Sequence, residues 1–308
     1  MTGTPTKALP RVAAVIVAYH PDPSVLRGLI EAVRPQVSRL TILNNGSPHD
    51  MDAFATMGDL SILSFERNLG IGEAVGHAAR EAADKGYEFL LTLDQDSIPA
   101  PDMVEKLLEA YRTLSAQGLL VGCVGPRQID RRSGHGAPFI APIHGWRLRR
   151  KKITPSPNQT LQVDHLITSG LLAPVSLYEA AGMPRSDLFI DYVDIEWSLR
   201  VRHLGFELYA VEQARLYHSI GDSYLNIAGR QIPVHSPLRN YYLMRNGVFL
   251  QTLSYIPRAW RFSDALQLLK KFIFFSVFLD QRGKRVRMML AGIRDGFRGR
   301  LGIFREPR

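Results

Sequence analysis

Two carboxylates one residue apart follow a short apolar run, and this pair has the chemistry of a cation site. Asp94 and Asp96, separated by Gln95, come directly after Phe89–Leu93. At a strand end such a pair reaches a hard cation and a neighbouring ribose hydroxyl together. Mg²⁺ or Mn²⁺ held by one or two carboxylates would then bind a substrate diphosphate. An Asp-X-Asp triplet is also common in solvated turns, so the pair alone leaves both interpretations open.

A second acidic group lies in Phe189–Arg200, where apolar residues at helical spacing predict a helix packed on the core. Asp194 borders this apolar face, and Asp191 precedes it by three residues. Burial at such an edge raises the pKa of a carboxyl group, as a general base requires. The alternative is an acidic group favoured by the helix dipole, which Glu196 fits better. His218 is a further candidate ligand beside a metal-binding aspartate pair.

The elements that must position these groups alternate along the first 125 residues. Continuous apolar runs predict strands buried on both faces, and apolar residues at helical spacing predict the helices between them. This alternation predicts an α/β fold with a mostly parallel sheet, whose ligands bind beyond the carboxyl ends of the strands. The predicted strands are Val12–Ala18, Leu40–Leu43, Leu60–Phe65 and Glu88–Leu93, and the predicted helices include Gly72–Lys85 and ones beginning at Ser24 and Pro101.

Charge and cysteine content narrow the class of protein. The 308 residues carry a net charge of +9, made of −5 over residues 1–130 and +14 over residues 131–308. A basic C-terminal part indicates an anionic partner such as nucleic acid, lipid headgroups or a pyrophosphate. Cys123 is the only cysteine, which excludes an intramolecular disulfide and fits a reducing cytoplasm.

Membrane association is expected at most at a surface. The start, Met1–Pro10, has no secretory-signal pattern, and the apolar run Phe272–Leu279 is too short to span a bilayer. Ala265–Leu279 is apolar and flanked by basic residues, which is typical of an interfacial amphipathic segment. A core helix with a solvated basic face fits the same segment equally well.

Taken together in their order along the chain, these motifs resemble those of family 2 glycosyltransferases, which adopt the GT-A fold. The resemblance covers roughly residues 11–250, and the later segments are most similar to the bacterial rhamnosyltransferase branch. The matching segments are Ala18–Pro21, Asn44–Ser47, Asn68–Gly72, Asp94–Asp96, Ser169-Gly170, Asp191–Arg200, His218 and Arg239–Asn246.

The resemblance implies roles for individual residues. It makes Asp194 the catalytic base that deprotonates the acceptor hydroxyl. Val193 replaces the Glu of the family's common Glu-Asp pair, so Asp191 is the second candidate for that role. The implied nucleotide-sugar site comprises Tyr19, Asn44, Asn45, Gly46, Asn68, Gly70, Asp94, Gln95, Arg239 and Arg245; the acceptor or sugar side comprises Ser169, Gly170, Glu196 and Trp197; and the metal site comprises Asp94, Asp96 and His218, with Mg²⁺ or Mn²⁺.

The implied function is inverting transfer of L-rhamnose from dTDP-L-rhamnose to a cell-surface glycan or polyprenyl-linked glycan, in the cytoplasm and peripheral to the inner face of the plasma membrane. Another nucleotide sugar (UDP-hexose, UDP-galactofuranose or UDP-GlcNAc) is the alternative donor. The expected organisation is a GT-A domain over residues 1–250, with a nucleotide-binding half at about 11–125 and an acceptor half at about 126–250. A basic amphipathic helical extension would follow over residues 251–308.

Proteins of other classes explain fewer of these features. Gly70, Gly72 and Gly76 suggest a dinucleotide-binding turn of an NAD oxidoreductase, but their spacing is a weak match and close packing explains it equally well. Asp191 and Asp194 could serve a glycoside hydrolase, although an α/β chain with an Asp-X-Asp strand end fits nucleotide sugars better. A non-catalytic nucleic-acid or membrane binder would use the basic C-terminal part, and nucleic acid is not expected as a partner.

Overall fold

The computed structural model describes residues 11–48, 51–55, 57, 60–131, 134–143, 151–156, 158–218, 224–227, 230–233 and 235–305. Its strands are β1 Val12–Ala18, β2 Arg39–Asn44, β3 Leu60–Ser64, β4 Phe89–Asp94, β5 Ser97–Pro99, β6 Val121–Asp130, β7 Phe139–Ile140, β8 Lys152–Ile153, β9 Thr160–Gln162, β10 Leu171–Pro174, β11 Glu207–His218, β12 Tyr224–Ile227 and β13 Arg230–Pro233. Nine of these strands form one central sheet with the order β3-β2-β1-β4-β10-β6-β11-β5, in which β9 also pairs with β11.

Helices cover both faces of the sheet within the described residues. Two single 3-10 turns, Arg34–Gln36 and Ser186–Leu188, accompany them. The helices are α1 Pro23–Val33, α2 Asp52–Ala55, α3 Ile71–Asp84, α4 Met103–Ala116, α5 Val175–Ala181, α6 Val193–His203, α7 Pro237–Leu250, α8 Arg258–Phe278 and α9 Arg282–Phe297.

The first half of the sheet is parallel and buried on both faces. β1 pairs in parallel with β2 and β4, and β2 pairs in parallel with β3. Val12, Ala14 and Ile16 join one buried cluster, whereas Ala13 and Val15 join a second cluster on the other face. Alternate residues of a strand point to opposite faces, so a continuous apolar run is what helices on both sides require. The α/β fold expected from the sequence is confirmed.

The second half of the sheet is mixed. β10 is antiparallel to both of its neighbours, β4 and β6, while β6 and β11 are parallel. Because β10 runs against β4, its first residue, Leu171, pairs with Thr92 near the carboxyl end of β4. The residues just before β10 therefore lie at the same edge as Asp94, although 75 positions separate Ser169 from it in the chain.

Helix starts differ slightly from the sequence-based expectation. Asp22, rather than Ser24, caps α1, because the Asp22 carboxylate accepts hydrogen bonds from the backbone N–H groups of Ser24 and Val25 at 2.8 and 3.2 Å. The helix expected from Pro101 begins two residues later, at Met103. These differences of two residues in the helix starts leave the placement of the strand ends unchanged.

The three C-terminal helices share a buried core with the helix that carries Asp194. Tyr192 and Val193, at the start of α6, belong to the same cluster as Met244 of α7, Trp260 of α8 and Met289 of α9. α9 lies against α7 through two glycines four residues apart: a Cβ on Gly292 would lie 2.4 Å from the Tyr241 carbonyl oxygen, and one on Gly296 would lie 2.5 Å from that of Arg245. α8 and α9 therefore pack against α6 and α7 in this shared core.

Two sequence-based expectations concern the membrane, and the helices of this structure bear on both. In the part of the chain that the structure describes, no helix combines the length and the apolar character that crossing a bilayer demands. α8 also contributes to the core, since Trp260 and Leu268 are buried. Its opposite side carries exposed apolar residues, so one helix has both the core face and the exposed apolar face that the sequence left as alternatives.

Candidate active site

The expected metal ligands meet at the carboxyl edge of the sheet. Antiparallel pairing of β5 with β11 sets His218 opposite Ser97, directly after the Asp94–Asp96 turn. The His218 Nδ1 atom lies 3.4 Å from the Asp96 Oδ1 atom and 3.1 Å from the Ser97 hydroxyl. The Ser97 hydroxyl lies 2.7 Å from that of Ser169. A chain of polar contacts thus joins β4, β5, β11 and the turn before β10.

Asp94 sits deeper than Asp96 in this edge. Its pKa is raised to about 6, first by burial and then by the negative charges of Asp96 and Asp194, while His218 and Arg239 act in the opposite direction. Its backbone N–H donates to the Ser169 hydroxyl at 3.2 Å. The neighbouring carboxylates thus make an electronegative point around Asp94, where a bound cation would relieve the repulsion.

The donor set of this edge suits a divalent cation. Among the described residues, no group of three or more His, Cys, Asp or Glu side chains is already arranged around a metal position. Asp96 and His218 nevertheless supply a carboxylate oxygen and an imidazole nitrogen 3.4 Å apart. Mn²⁺ accepts both ligand types, and Mg²⁺ is commonly held by one or two carboxylates together with substrate phosphates. The residues present therefore fit a metal that is completed by a diphosphate.

Asp194 occupies the first turn of α6, close enough to Asp94 for their charges to interact. Burial raises the pKa of Asp194, and the charge of Asp191 adds to this, while His165 lowers it. One carboxylate oxygen accepts a hydrogen bond from the Ile195 backbone N–H at 2.8 Å. A partly buried carboxylate with a raised pKa has the properties of a general base.

Asp191 has a different environment. Its carboxylate pairs with the Arg239 guanidinium, with a shortest distance of 3.2 Å and additional contacts of 3.3 Å from Nε. The guanidinium occupies both oxygens of the Asp191 carboxylate, whereas Asp194 has no such ion pair among the described residues. The ion pair also brings Arg239 to the edge of the site.

The turn that presents both aspartates is held in an unusual backbone conformation. Phe189, Asp191 and Tyr192 have φ angles of 66°, 58° and 65°, in the left-handed region that non-glycine residues rarely occupy. Each such residue costs on the order of 1–3 kcal/mol and persists only where its surroundings enforce it. The conformation is therefore imposed on this turn by its neighbours.

Asn246 of α7 supplies much of that enforcement. Its side-chain amide is fully buried and donates to the carbonyl oxygens of Leu188, Ile190 and Asp191 at 2.9, 2.7 and 2.9 Å. Its own oxygen accepts from Arg245 Nε at 2.8 Å. The sequence places Asn246 in the Arg239–Asn246 motif but indicates no role for it, because its partners lie 55–58 positions away.

Three residues expected at the site lie outside this cluster. Arg245, expected at the diphosphate, is 1% exposed and donates instead to carbonyl oxygens of the 187–188 segment. Glu196 is fully buried and bonded to Arg200 and Tyr255. Trp197 donates to the Gly182 carbonyl oxygen at 2.9 Å. Their roles in this structure are in packing and hydrogen bonding.

The residues expected around the nucleoside form two interlocked turns. Asn45 accepts a hydrogen bond from the Leu69 backbone N–H at 2.9 Å, and Asn68 accepts one from that of Gly70 at 2.8 Å. Gly46 has a φ of 82°, and a Cβ there would lie 2.2 Å from the Arg67 carbonyl carbon, so only glycine permits this approach. The turns after β2 and β3 are thus fixed against one another.

Asn44 and Tyr19 flank these turns differently. Asn44 is 4% exposed, and its amide closes a local turn by accepting from the Ser47 N–H at 2.9 Å and donating to the Ser47 carbonyl oxygen at 3.1 Å. Tyr19 is 45% exposed and free to contact a ligand. The Gln95 amide fixes its backbone, accepting from the Tyr19 N–H at 2.6 Å and donating to its carbonyl oxygen at 3.1 Å. The end of β1 and the Asp94–Asp96 turn are therefore tied together directly.

The glycines that suggested a dinucleotide-binding turn serve packing in this structure. A Cβ on Gly70 would lie 2.4 Å from the Phe189 carbonyl oxygen, and one on Gly72 would lie 2.5 Å from that of Arg185. The Ile71 backbone N–H, in the first turn of α3, donates to the same Phe189 oxygen at 2.9 Å. The helix start that would bind a pyrophosphate in a dinucleotide site is therefore covered by the 185–189 segment.

A cavity of about 290 Å³ opens beside the sheet edge that carries His218. Ser169 and His218 form one end of it, and His165 and Gln128 add polar groups. Gln128 also donates to the Ser169 carbonyl oxygen at 2.9 Å. The turn at Gly170 is compact, because a Cβ there would lie 2.4 Å from a ring carbon of Pro126. The remaining wall is mostly apolar, formed by segments 125–126, 137–140 and 166–167.

Comparison with known proteins identifies the family of this chain. A model described as Glycosyl transferase family 2 matches residues 14–178. The chain is also 31% identical over 247 residues to dTDP-rhamnosyl transferase RfbF of Shigella flexneri, a match that covers 80% of this chain and 81% of that protein. The chain belongs to glycosyl transferase family 2, and it is a glycosyltransferase.

Solved structures agree on the fold. The crystal structure of S. aureus TarS 1-349 is similar with a TM-score of 0.57 at 12% identity, covering 93% of this chain and 80% of that one. GalNAc-T7, crystallised with UDP, GalNAc and Mn²⁺, is similar with a TM-score of 0.56 at 15% identity over 88% of this chain. The chain spans 57% of the GalNAc-T7 chain. At such identities the likeness concerns the fold alone, and the GT-A-like architecture expected from the sequence is confirmed.

Proposed function

We propose that this glycosyltransferase moves L-rhamnose from dTDP-L-rhamnose to an acceptor hydroxyl, with inversion at the anomeric carbon. The similarity to a dTDP-rhamnosyl transferase over four-fifths of both chains carries the choice of donor. The meeting of Asp94, Asp96 and His218 with Asp194 at one sheet edge supports the reaction type.

In this proposal the donor lies across the carboxyl ends of the parallel strands. Tyr19 and the interlocked turns after β2 and β3 form the walls of the nucleoside pocket. Asp94 serves the ribose and metal side, and Asp96 with His218 holds Mg²⁺ or Mn²⁺. When bound, the cation neutralises charge that develops on the leaving diphosphate. Arg239 lies at the same edge and adds a positive charge there.

Asp194 then acts on the acceptor. As the acceptor oxygen attacks the anomeric carbon, its proton passes to the Asp194 carboxylate, and the bond between the sugar and the diphosphate breaks. The burial that raises the pKa of Asp194 makes the carboxylate a better proton acceptor. Most of the remaining rate enhancement comes from holding the two reactants in line.

The cavity beside Ser169 and His218 is the proposed acceptor side. It opens next to the metal-binding edge, and its polar end faces the groups that would surround the transferred sugar. We assign it to a cell-surface glycan or a polyprenyl-linked glycan, at the cytoplasmic face of the membrane. The mostly apolar wall fits a sugar ring or a substituent with few hydroxyl groups.

A thermal-shift panel tests the donor. The protein would be scanned with dTDP-rhamnose, UDP-glucose, UDP-galactofuranose, UDP-GlcNAc and NAD, each with and without Mn²⁺. A ligand at a hundred times its dissociation constant stabilises the native state by about 2.7 kcal/mol, which such a scan resolves. A metal-dependent shift with dTDP-rhamnose is the expected result. A shift with another nucleotide sugar alone would replace the donor, and one with NAD alone would overturn the proposal.

A further inference from the structure

A row of large apolar side chains lies on the solvent side of α8. The row is spaced by four, three, four and four residues, which keeps its members on one face of a helix. Each member is between 43% and 56% exposed. We call this row the α8 stripe; it consists of Phe262, Leu266, Leu269, Ile273 and Val277.

The position of the α8 stripe follows from how the helix is anchored. Trp260 is fully buried, and its indole N–H donates to the Asp164 carboxylate at 2.9 Å. Asp264 is 1% exposed and accepts from the Tyr192 hydroxyl at 3.1 Å. Leu268 is buried in the shared C-terminal core. These contacts fix the rotation of the helix, so the stripe must face outward.

The exposed charges around the stripe are mostly positive, and the exposed Asp280, just after α8, is paired with the buried Arg285. Asp264 is the only acidic residue of α8, and it is buried. Arg258, Lys270 and Lys271 on the same helix are exposed. The start of α9 adds three exposed basic residues, Arg282, Lys284 and Arg287. The surface therefore offers apolar side chains together with positive charges.

We propose that α8 lies in the plane of an anionic lipid surface, with the α8 stripe inserted among the acyl chains and the basic residues at the headgroups. A helix with one apolar face and basic residues around it binds such a surface through burial of its apolar side chains and through attraction to the anionic headgroups. A second copy of the same chain fits less well, because pairing two such faces would bring like charges together. The stripe lies outside the nucleotide-sugar site, so the inference is independent of the proposed donor.

Vesicle co-sedimentation of the full chain tests this inference. One set of vesicles would contain a phosphatidylcholine and phosphatidylglycerol mixture, and the other phosphatidylcholine alone. We expect the protein to pellet with the anionic vesicles at least tenfold more than with the neutral ones. The double variant Leu269→Glu with Ile273→Glu should lose at least tenfold of this binding. Leu120→Glu is the matched control, since Leu120 is 54% exposed but lies just before β6.

Several results would overturn the inference. Equal binding to both kinds of vesicle would remove the role of charge, and equal binding by the double variant would remove the role of the stripe. Absence of wild-type binding, or self-association that the double variant abolishes, would assign the stripe to another contact. The thermal shift with the nucleotide sugar should be the same for all variants, which separates failure of the membrane contact from failure of the proposed function.

Discussion

Replacing Asn246 with alanine should reduce transfer by more than the loss of folded protein explains. The Asn246 amide donates to three carbonyl oxygens of the turn that carries Asp191 and leads into Asp194. Of these, the Leu188 oxygen keeps a second donor, Arg245 Nη2 at 2.9 Å. The oxygens of Ile190 and Asp191 lose the amide.

The magnitude follows from those two carbonyl groups and from Arg245 Nε, which loses the Asn246 oxygen as its acceptor. A buried polar group left unpaired costs about 1–3 kcal/mol, so the variant should lose about 3–9 kcal/mol of unfolding free energy. Part of this loss is recovered when Asp191 and Tyr192 relax out of the left-handed region, which costs on the order of 1–3 kcal/mol for each residue. That relaxation moves the aspartates, and a displacement of about 1 Å in a catalytic group can reduce the rate by about 10²-fold.

Two assays separate these effects. Urea unfolding gives the loss of stability, and transfer measured well below the unfolding midpoint gives the turnover of the folded fraction. Gln36→Ala is the matched control. The Gln36 side-chain amide makes three hydrogen bonds, with Ala32, Ala100 and Val104, and lies at the opposite end of the parallel strands. We expect both variants to lose stability but only Asn246→Ala to lose turnover about a hundredfold. Unchanged turnover in folded Asn246→Ala would refute the reasoning.

Three further predictions concern the charged groups. Asp194→Asn should leave the metal-dependent thermal shift with dTDP-rhamnose intact while transfer falls by about 10²–10⁴-fold; if Asp191→Asn instead abolishes transfer and Asp194→Asn does not, the base is Asp191. Asp96→Asn should weaken the nucleotide-sugar shift seen with Mn²⁺ more than the shift seen without it, as measured by titrating the metal. Because the pKa of Asp94 is raised to about 6 in the folded protein, the folded state binds the proton more tightly than the unfolded state, and metal-free stability should fall as pH rises from about 4 to 7. Asp94→Asn should be more stable than the wild type at pH 7 and similar to it at pH 4. If the variant and the wild type are equally stable at both pH values, the pKa of Asp94 is not raised in the folded protein.

Much of the sheet edge could be predicted because its signals are local. Each strand of the parallel half is a continuous apolar run, and the polar residues that follow it must lie at the carboxyl end. Asp94 and Asp96 could therefore be placed without knowledge of the rest of the fold. His218 lies at the same edge because β11 pairs with β5, and the local sequence pattern did not indicate that pairing.

The remaining features depend on contacts between distant parts of the chain. The antiparallel direction of β10 is not encoded in its four residues, since an apolar strand of either direction has the same pattern. Asn246 and Arg245 are both polar residues of one helix, so the sequence does not distinguish their roles. Only the fold shows whether such a residue holds the 188–191 turn or binds a ligand. The stripe and the core face of α8 likewise could not be told apart until the packing of Trp260 fixed the rotation of the helix.

The glycine contact between α9 and α7 has a practical consequence for shortened versions of this protein. α7 carries Asn246, and its other side lies against Gly292 and Gly296. A chain ended near residue 250 would keep every group proposed to touch substrate, but it would expose to water the side of α7 that α9 covers. Removal of the last two helices therefore tests whether the active-site turn survives, not whether an accessory segment is dispensable. A membrane-binding defect in this protein is better sought with point changes in the α8 stripe.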